Sequence, residues 1–126
     1  MKGKNNFSIL LIEDDEKTVQ TICFALKNEG FGVLIVRDGQ EAIEAFEEKN
    51  FKPDLVLLDL VLPKLSGFEV LKKLSQKKIK IPIIVLSNLG QDADREKAFK
   101  LGADDYLVKG RLSIEELTQR IKELRD

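Results

Sequence analysis

Four short apolar runs in this chain each hand over to residues that can do chemistry. Glu13, Asp14 and Asp15 follow Ile9-Leu10-Leu11-Ile12, Asp59 follows Leu55-Val56-Leu57-Leu58, Ser87 and Asn88 follow Ile83-Ile84-Val85-Leu86, and Lys109 follows Tyr106-Leu107-Val108. Each has a plain structural reading. Asp15 reads as a helix N-cap, Glu13 and Asp14 as loop solubilisers, Ser87 as a turn residue and Lys109 as a surface lysine. Asp59 resists such a reading, because an unpaired carboxylate buried at the end of a central strand costs several kcal/mol. Taken together the set has one chemistry. Clustered carboxylates repel unless a cation intervenes. Oxygen ligands without imidazole or thiolate select a hard cation, and few carboxylates suit magnesium. Such a metal can bridge a carboxylate and a phosphoryl oxygen. A carboxylate can accept a phosphoryl group as an acyl phosphate, and a lysine and a hydroxyl can bind its remaining oxygens.

The elements that must position these residues follow from the patterning. The four runs, together with Val33-Leu34-Ile35-Val36, are near-continuously apolar rather than alternating, as expected of parallel strands covered on both faces. Between them lie amphipathic stripes: Val19, Ile22, Cys23, Leu26; Ala42, Ile43, Phe46; Val70, Leu71, Leu74; the weaker Ala98, Leu101; and Ile114, Leu117, Ile121, Leu124. Ser66 with Glu69 and Ser113 with Glu116 fit capping boxes, Asp38 with Glu41 is an acidic version, and Gly30, Gly67 and Gly102 punctuate element ends. Five strand–helix units in sequence predict an α/β fold: a parallel sheet with right-handed crossovers and helices on both faces. In such a sheet ligands bind beyond the carboxyl ends of the strands, where the acids, hydroxyl and amine fall.

Composition narrows the field. The 126 residues suit a single domain, 1–126, and 43% hydrophobic with 34% charged residues is an ordinary globular mix. Histidine is absent, which removes imidazole acid–base chemistry and His-ligated metals. A net charge of −1 gives no general pull toward nucleic acid or anionic lipid, so direct binding to either is not expected. Basic residues are dispersed, with short runs such as Lys77-Lys78 that read as solvated helix ends. The single cysteine, Cys23, allows no internal disulfide, reads as a small core residue, and fits a cytoplasmic location. No apolar run reaches the roughly 20 residues of a membrane span, and Met1 to Asn6 lead into no apolar stretch long enough for a signal peptide.

With these residues in place the chain resembles the receiver domains of two-component signalling, of the chemotaxis-regulator type. The resemblance runs from Ser8 to the last helix, through Ile9 to Asp15, Asp54 to Leu60, Leu62 to Gly67, Val85 to Ser87 and Gly102 to Lys109. It implies a flavodoxin-like, doubly wound (βα)5 fold with strand order 2-1-3-4-5. It implies that Asp59 is the phosphoacceptor, that Asp14, Asp59 and the backbone carbonyl of Val61 bind Mg2+ directly, and that Glu13 does so through a water. Lys109 would contact the phosphoryl group, and Ser87 and Tyr106 would form a switch pair that repacks the surface of the fourth helix, fifth strand and fifth helix. Implied partners are a sensor histidine kinase or phosphotransfer protein upstream and a protein target downstream. The only catalysis implied is transfer to Asp59 and its own dephosphorylation. Two residues depart from the family pattern. Gly110 stands where proline usually follows the lysine, predicting a trans peptide and a more mobile loop, and Asn88 is larger than the usual alanine or glycine. A flavin module would want a Ser/Thr/Gly-rich phosphate loop where Glu13-Asp14-Asp15 stand, and a haloacid-dehalogenase-type phosphatase would want aspartate at Val61. A receiver serving as a phosphorylation-independent interaction module is the remaining alternative. No output domain follows Asp126, so the chain either acts alone through a partner or is a piece of a longer regulator.

Overall fold

The computed structural model describes residues 7–48 and 50–126, so the expectation for Met1 to Asn6 lies outside the described residues. The order is β1 (Ser8–Ile12), α1 (Glu16–Asn28), β2 (Gly32–Val36), α2 (Gly39–Glu47), β3 (Leu55–Leu58), α3 (Gly67–Gln76), β4 (Ile83–Ser87), α4 (Asp92–Lys100), β5 (Asp105–Val108) and α5 (Ile114–Arg125). The strands form one parallel sheet in the order β2-β1-β3-β4-β5, the flavodoxin-like arrangement expected.

Strand geometry divides the apolar runs between two cores, because successive side chains leave opposite faces. Ile9, Leu11, Leu55, Leu57, Ile84 and Leu86 pack on one face with the apolar stripes of α1 and α5. Leu10, Ile12, Val56, Leu58 and Val85 pack on the other with those of α2, α3 and α4. That double cover explains why β1, β3 and β4 are apolar throughout except for Ser8 and Ser87 at strand ends. The edge strand β2 departs from it. Its run is as apolar as the others, yet Leu34 is 51% exposed, since a strand at the rim has helices over only part of its surface. The α5 stripe also ends early: Leu117 and Ile121 are buried, joined by Thr118, while Leu124 is exposed.

The caps form where expected. Asp15, Asp38, Ser66 and Ser113 accept from the backbone N–H groups of Thr18, Glu41, Glu69 and Glu116. At the carboxyl ends α1, α3 and α4 share one motif. Phe31 N–H bonds Leu26 C=O, Ile79 N–H bonds Leu74 C=O, and Ala103 N–H bonds Ala98 C=O. The residue before each of these donors turns left-handed. In α1 and α4 that residue is glycine, Gly30 at φ 87° and Gly102 at φ 112°, but in α3 it is Lys78 at φ 58°. A side chain in that conformation costs about 1–2 kcal/mol, and glycine's added backbone entropy returns only about 0.5–1 kcal/mol of it. Lys78→Gly is therefore expected to stabilise the fold by roughly 0.5–1 kcal/mol, read as a higher urea midpoint at unchanged slope. An unchanged or lower midpoint would refute the strain at this position.

Candidate functional site

Register assembles the site. Ile12 pairs with Leu58, which sets Glu13 and Asp59 side by side just beyond the paired residues of β1 and β3. Ser87 pairs with Val108, which brings Lys109 past the end of β5 beside β4. The sheet hydrogen bonding continues one step past β1 and β3, with Glu13 N–H donating to Val36 C=O at 3.0 Å and Asp59 N–H to Ile12 C=O at 3.0 Å.

Glu13 and Asp59 are nearly inaccessible, at 1% and 6% exposure, whereas Asp14 is exposed. One carboxylate oxygen from each of the three lies within 4.8 Å of the others. Lys109 reaches into this cluster: its Nζ lies 2.6 Å from Glu13 Oε1 and 3.2 Å from Asp59 Oδ2. Val61 N–H donates to Asp59 Oδ1 at 3.2 Å and Asp15 N–H to Glu13 Oε2 at 3.2 Å, so no buried side-chain oxygen among the described residues lacks a partner. Burial pushes the Glu13 carboxyl up, opposed by its bond to Lys109 and reinforced by the Asp59 charge. Burial alone would pull the Lys109 ammonium down, but Glu13 and Asp59 outweigh it and hold the pKa above its ordinary value. An all-oxygen set around a mouth with one exposed carboxylate fits a hard divalent cation.

Gly67 supports Asp59 from behind. It opens α3, and a Cβ there would meet Asp59 C=O at 2.3 Å and Leu60 Cα at 2.6 Å. The contact requires glycine for room rather than for φ.

Ser87 is fully buried and its Oγ accepts from Leu89 N–H at 3.4 Å. Tyr106 is 2% exposed, and its hydroxyl donates to Leu89 C=O at 2.5 Å. The ring thus packs inward against the loop that follows Ser87. Arg95 closes it over: its guanidinium lies 5.4 Å from the Tyr106 ring centre and 5.9 Å from that of Phe99. Val61 is exposed at the mouth and Asn88 is exposed beyond β4. Among the described residues no peptide bond is cis, so Lys109–Gly110 is trans as expected, and a 3-10 turn runs over Lys109–Arg111. Sequence reasoning places Leu89 on the partner-binding surface with Lys97, Tyr106 and the last helix, but it does not reveal that the Leu89 backbone carbonyl accepts from the Tyr106 hydroxyl, nor the part of Arg95. The four-residue spacing of Arg95 and Phe99 on one helix was the available signal for the latter.

A parallel five-strand sheet in the order β2-β1-β3-β4-β5, with acids and a lysine at its carboxyl edge, defines a class of doubly wound α/β domains, and known proteins place the chain within it. The family model described as the response regulator receiver domain matches residues 9–122. The chain belongs to that family. It is 39% identical over 117 residues to the alkaline phosphatase synthesis transcriptional regulatory protein PhoP of Bacillus subtilis, covering 93% of this chain and 48% of that protein. It is 46% identical over 101 residues to the cell cycle transcriptional regulator CtrA of Caulobacter vibrioides, covering 80% of this chain and 43% of that one. The chain thus spans about half the length of the curated relatives it matches. Among solved structures, the receiver domain of Francisella response regulator 1452 superposes with a TM-score of 0.86 at 34% identity, covering 94% of this chain and 96% of its own. A CheY-like receiver from Methanospirillum hungatei gives 0.85 at 27% identity, covering 94% and 93%. No helix among the described residues is long and apolar enough to cross a membrane.

Tyr106 is the only tyrosine and there is no tryptophan, so tyrosinate absorbance reads this one ring. Burial, with Asp94 adding to it, holds its pKa above the ordinary 10.0. The native protein should ionise later than the urea-unfolded chain. The stabilisation is complete below the unfolded value and is lost as pH rises through the folded one. Coincident titrations of folded and unfolded protein would place the ring in solvent.

Proposed function

We propose that this chain is a phosphoacceptor receiver in which Asp59 takes a phosphoryl group from a sensor histidine kinase, a phosphotransfer protein or a small phosphodonor. The observation that carries the reading is the Lys109 ammonium set between Glu13 and Asp59 beside an exposed Asp14. Asp14 and Asp59, with the backbone carbonyl of Val61, would hold Mg2+ directly and Glu13 through a water. Bound there, the ion offsets negative charge on the carboxylates and the incoming phosphoryl oxygens. An Asp59 carboxylate oxygen forms the new O–P bond as the donor's P–N or P–O bond breaks, and the leaving group keeps that electron pair. Lys109, already at this carboxylate, binds one phosphoryl oxygen, and the Ser87 hydroxyl donates to another. The chain performs this transfer and its reversal by hydrolysis on itself, without turning over an external substrate.

The output surface is α4-β5-α5. Leu89 joins the Ser87 loop to Tyr106, so movement of the hydroxyl toward a phosphoryl group alters the packing of the ring under Arg95. A partner protein reads that surface, with no direct nucleic-acid contact by this domain. The lone buried cysteine is consistent with a cytoplasmic protein. A second reading is a phosphorylation-independent interaction module, in which the inward-packed Tyr106, its hydroxyl bonded to Leu89 C=O, is a fixed part of the surface a partner reads.

Acetyl phosphate with magnesium separates the two. The wild type should gain one phosphoryl group by intact mass and Asp59→Asn none. Equal labelling of both would remove Asp59 from the role, and no labelling of either would leave the interaction module. Magnesium alone should raise the melting temperature of the wild type by mass action, and Asp14→Asn should lose most of that rise. A melting temperature indifferent to magnesium in both would mean that the acids hold no ion.

A further inference from the structure

The lysines at the end of α3 are not explained by the acid pocket, which lies at the opposite edge of the sheet. Lys72, Lys73, Lys77, Lys78 and Lys80 fall within nine residues that contain no acid, in a chain whose net charge is −1. All five are exposed, and among the described residues none pairs with a carboxylate. A helix carboxyl end favours a cation or two, but Lys80 stands beyond that end, past the capping motif. Beside the lysines is a groove of about 520 Å³ at the amino edge of β4 and β5. Its walls include the half-buried Ile79, Ile81 and Leu101, and Lys78 and Lys80 stand on its rim. Its one carboxylate, Asp104, is engaged by Ile83 N–H at 2.8 Å. Lys78 adds a separate observation: the chain keeps a lysine in a left-handed turn where α1 and α4, ending in the same motif, use glycine. Strain of this kind persists where the side chain has a use.

We propose that this groove docks an acidic segment of a partner protein, with apolar side chains of that segment on Ile79, Ile81 and Leu101 and its carboxylates against Lys78 and Lys80. Charge complementarity selects the occupant. The apolar walls select a peptide over a nucleic acid, because no aromatic or arginine side chain lines the groove for stacking or for forked phosphate contacts. They also select it over a lipid surface, because the large exposed apolar side chains, Phe24, Leu34, Val61, Phe99 and Leu124, all lie elsewhere.

The test uses the isotope-labelled full chain and a synthetic peptide of alternating leucine with glutamate or aspartate, followed by amide shifts. The control peptide carries lysine in place of the acids. The acidic peptide should shift amides of residues 71–81 and 101–104, and added salt should weaken it. The double variant Lys78→Glu, Lys80→Glu should bind about tenfold more weakly or worse. Lys78→Gly should lose affinity while melting at a higher temperature, a split that a merely structural lysine would not produce. Absent shifts in these residues, equal binding of the control peptide, or unchanged affinity in both variants would overturn the site. Tighter engagement of the same lysines by a short DNA duplex or by phosphatidylglycerol vesicles than by the acidic peptide would overturn the choice of occupant.

Discussion

The carboxylates of Glu13 and Asp59 are buried side by side with one ammonium between them, and the rest of the structure is arranged so that this is tolerable. Two anions removed from water repel each other and need a cation close by. The Lys109 Nζ, 2.6 Å from one and 3.2 Å from the other, supplies positive charge from just past the end of β5, a strand that pairs with neither β1 nor β3. Holding it there needs β5 in register with β4, and β4 in register with β3. The sheet therefore acts as the frame of an electrostatic triad, and the two cores on its faces fix the frame. Asp14, exposed at the mouth, brings the cluster to three carboxylates against the single ammonium of Lys109 and so leaves it open to an external cation.

Much of this was legible in the residues. Runs such as Leu55 to Leu58 read as strands of a covered parallel sheet, and a carboxylate directly after such a run needs a cation. Five strand–helix units in order imply parallel pairing, which sends every strand's last residue to one edge. The caps at Asp15, Asp38, Ser66 and Ser113 were legible because they are local: the accepting side chain lies three residues from its donor.

What could not be read depends on neighbours distant in sequence. Val33 to Val36 looks as interior as the other runs, and only the pairing order makes β2 an edge with Leu34 in solvent. The reach of Lys109 depends on a 3-10 turn that the Gly110 departure did not suggest. The partner of the Tyr106 hydroxyl is a main-chain carbonyl, which carries no signature in any residue type. Gly67 reads as a punctuation mark, whereas its importance is the 2.3 Å that a methyl group would have to share with Asp59 C=O.

That last contact gives α3 a mechanical character. A helix of 10 residues is a stiff rod about 15 Å long, and its first residue rests on the Asp59 backbone with no side chain between to act as a cushion. Its far end carries Lys77 and Lys78. Pivoting the rod by about five degrees at Gly67 would sweep that end through about 1 Å, by simple trigonometry on the same length. Backlash is smallest where the joint has no spare atoms, so α3 is a lever whose short arm is an acid's own carbonyl and whose long arm ends on the opposite edge of the sheet.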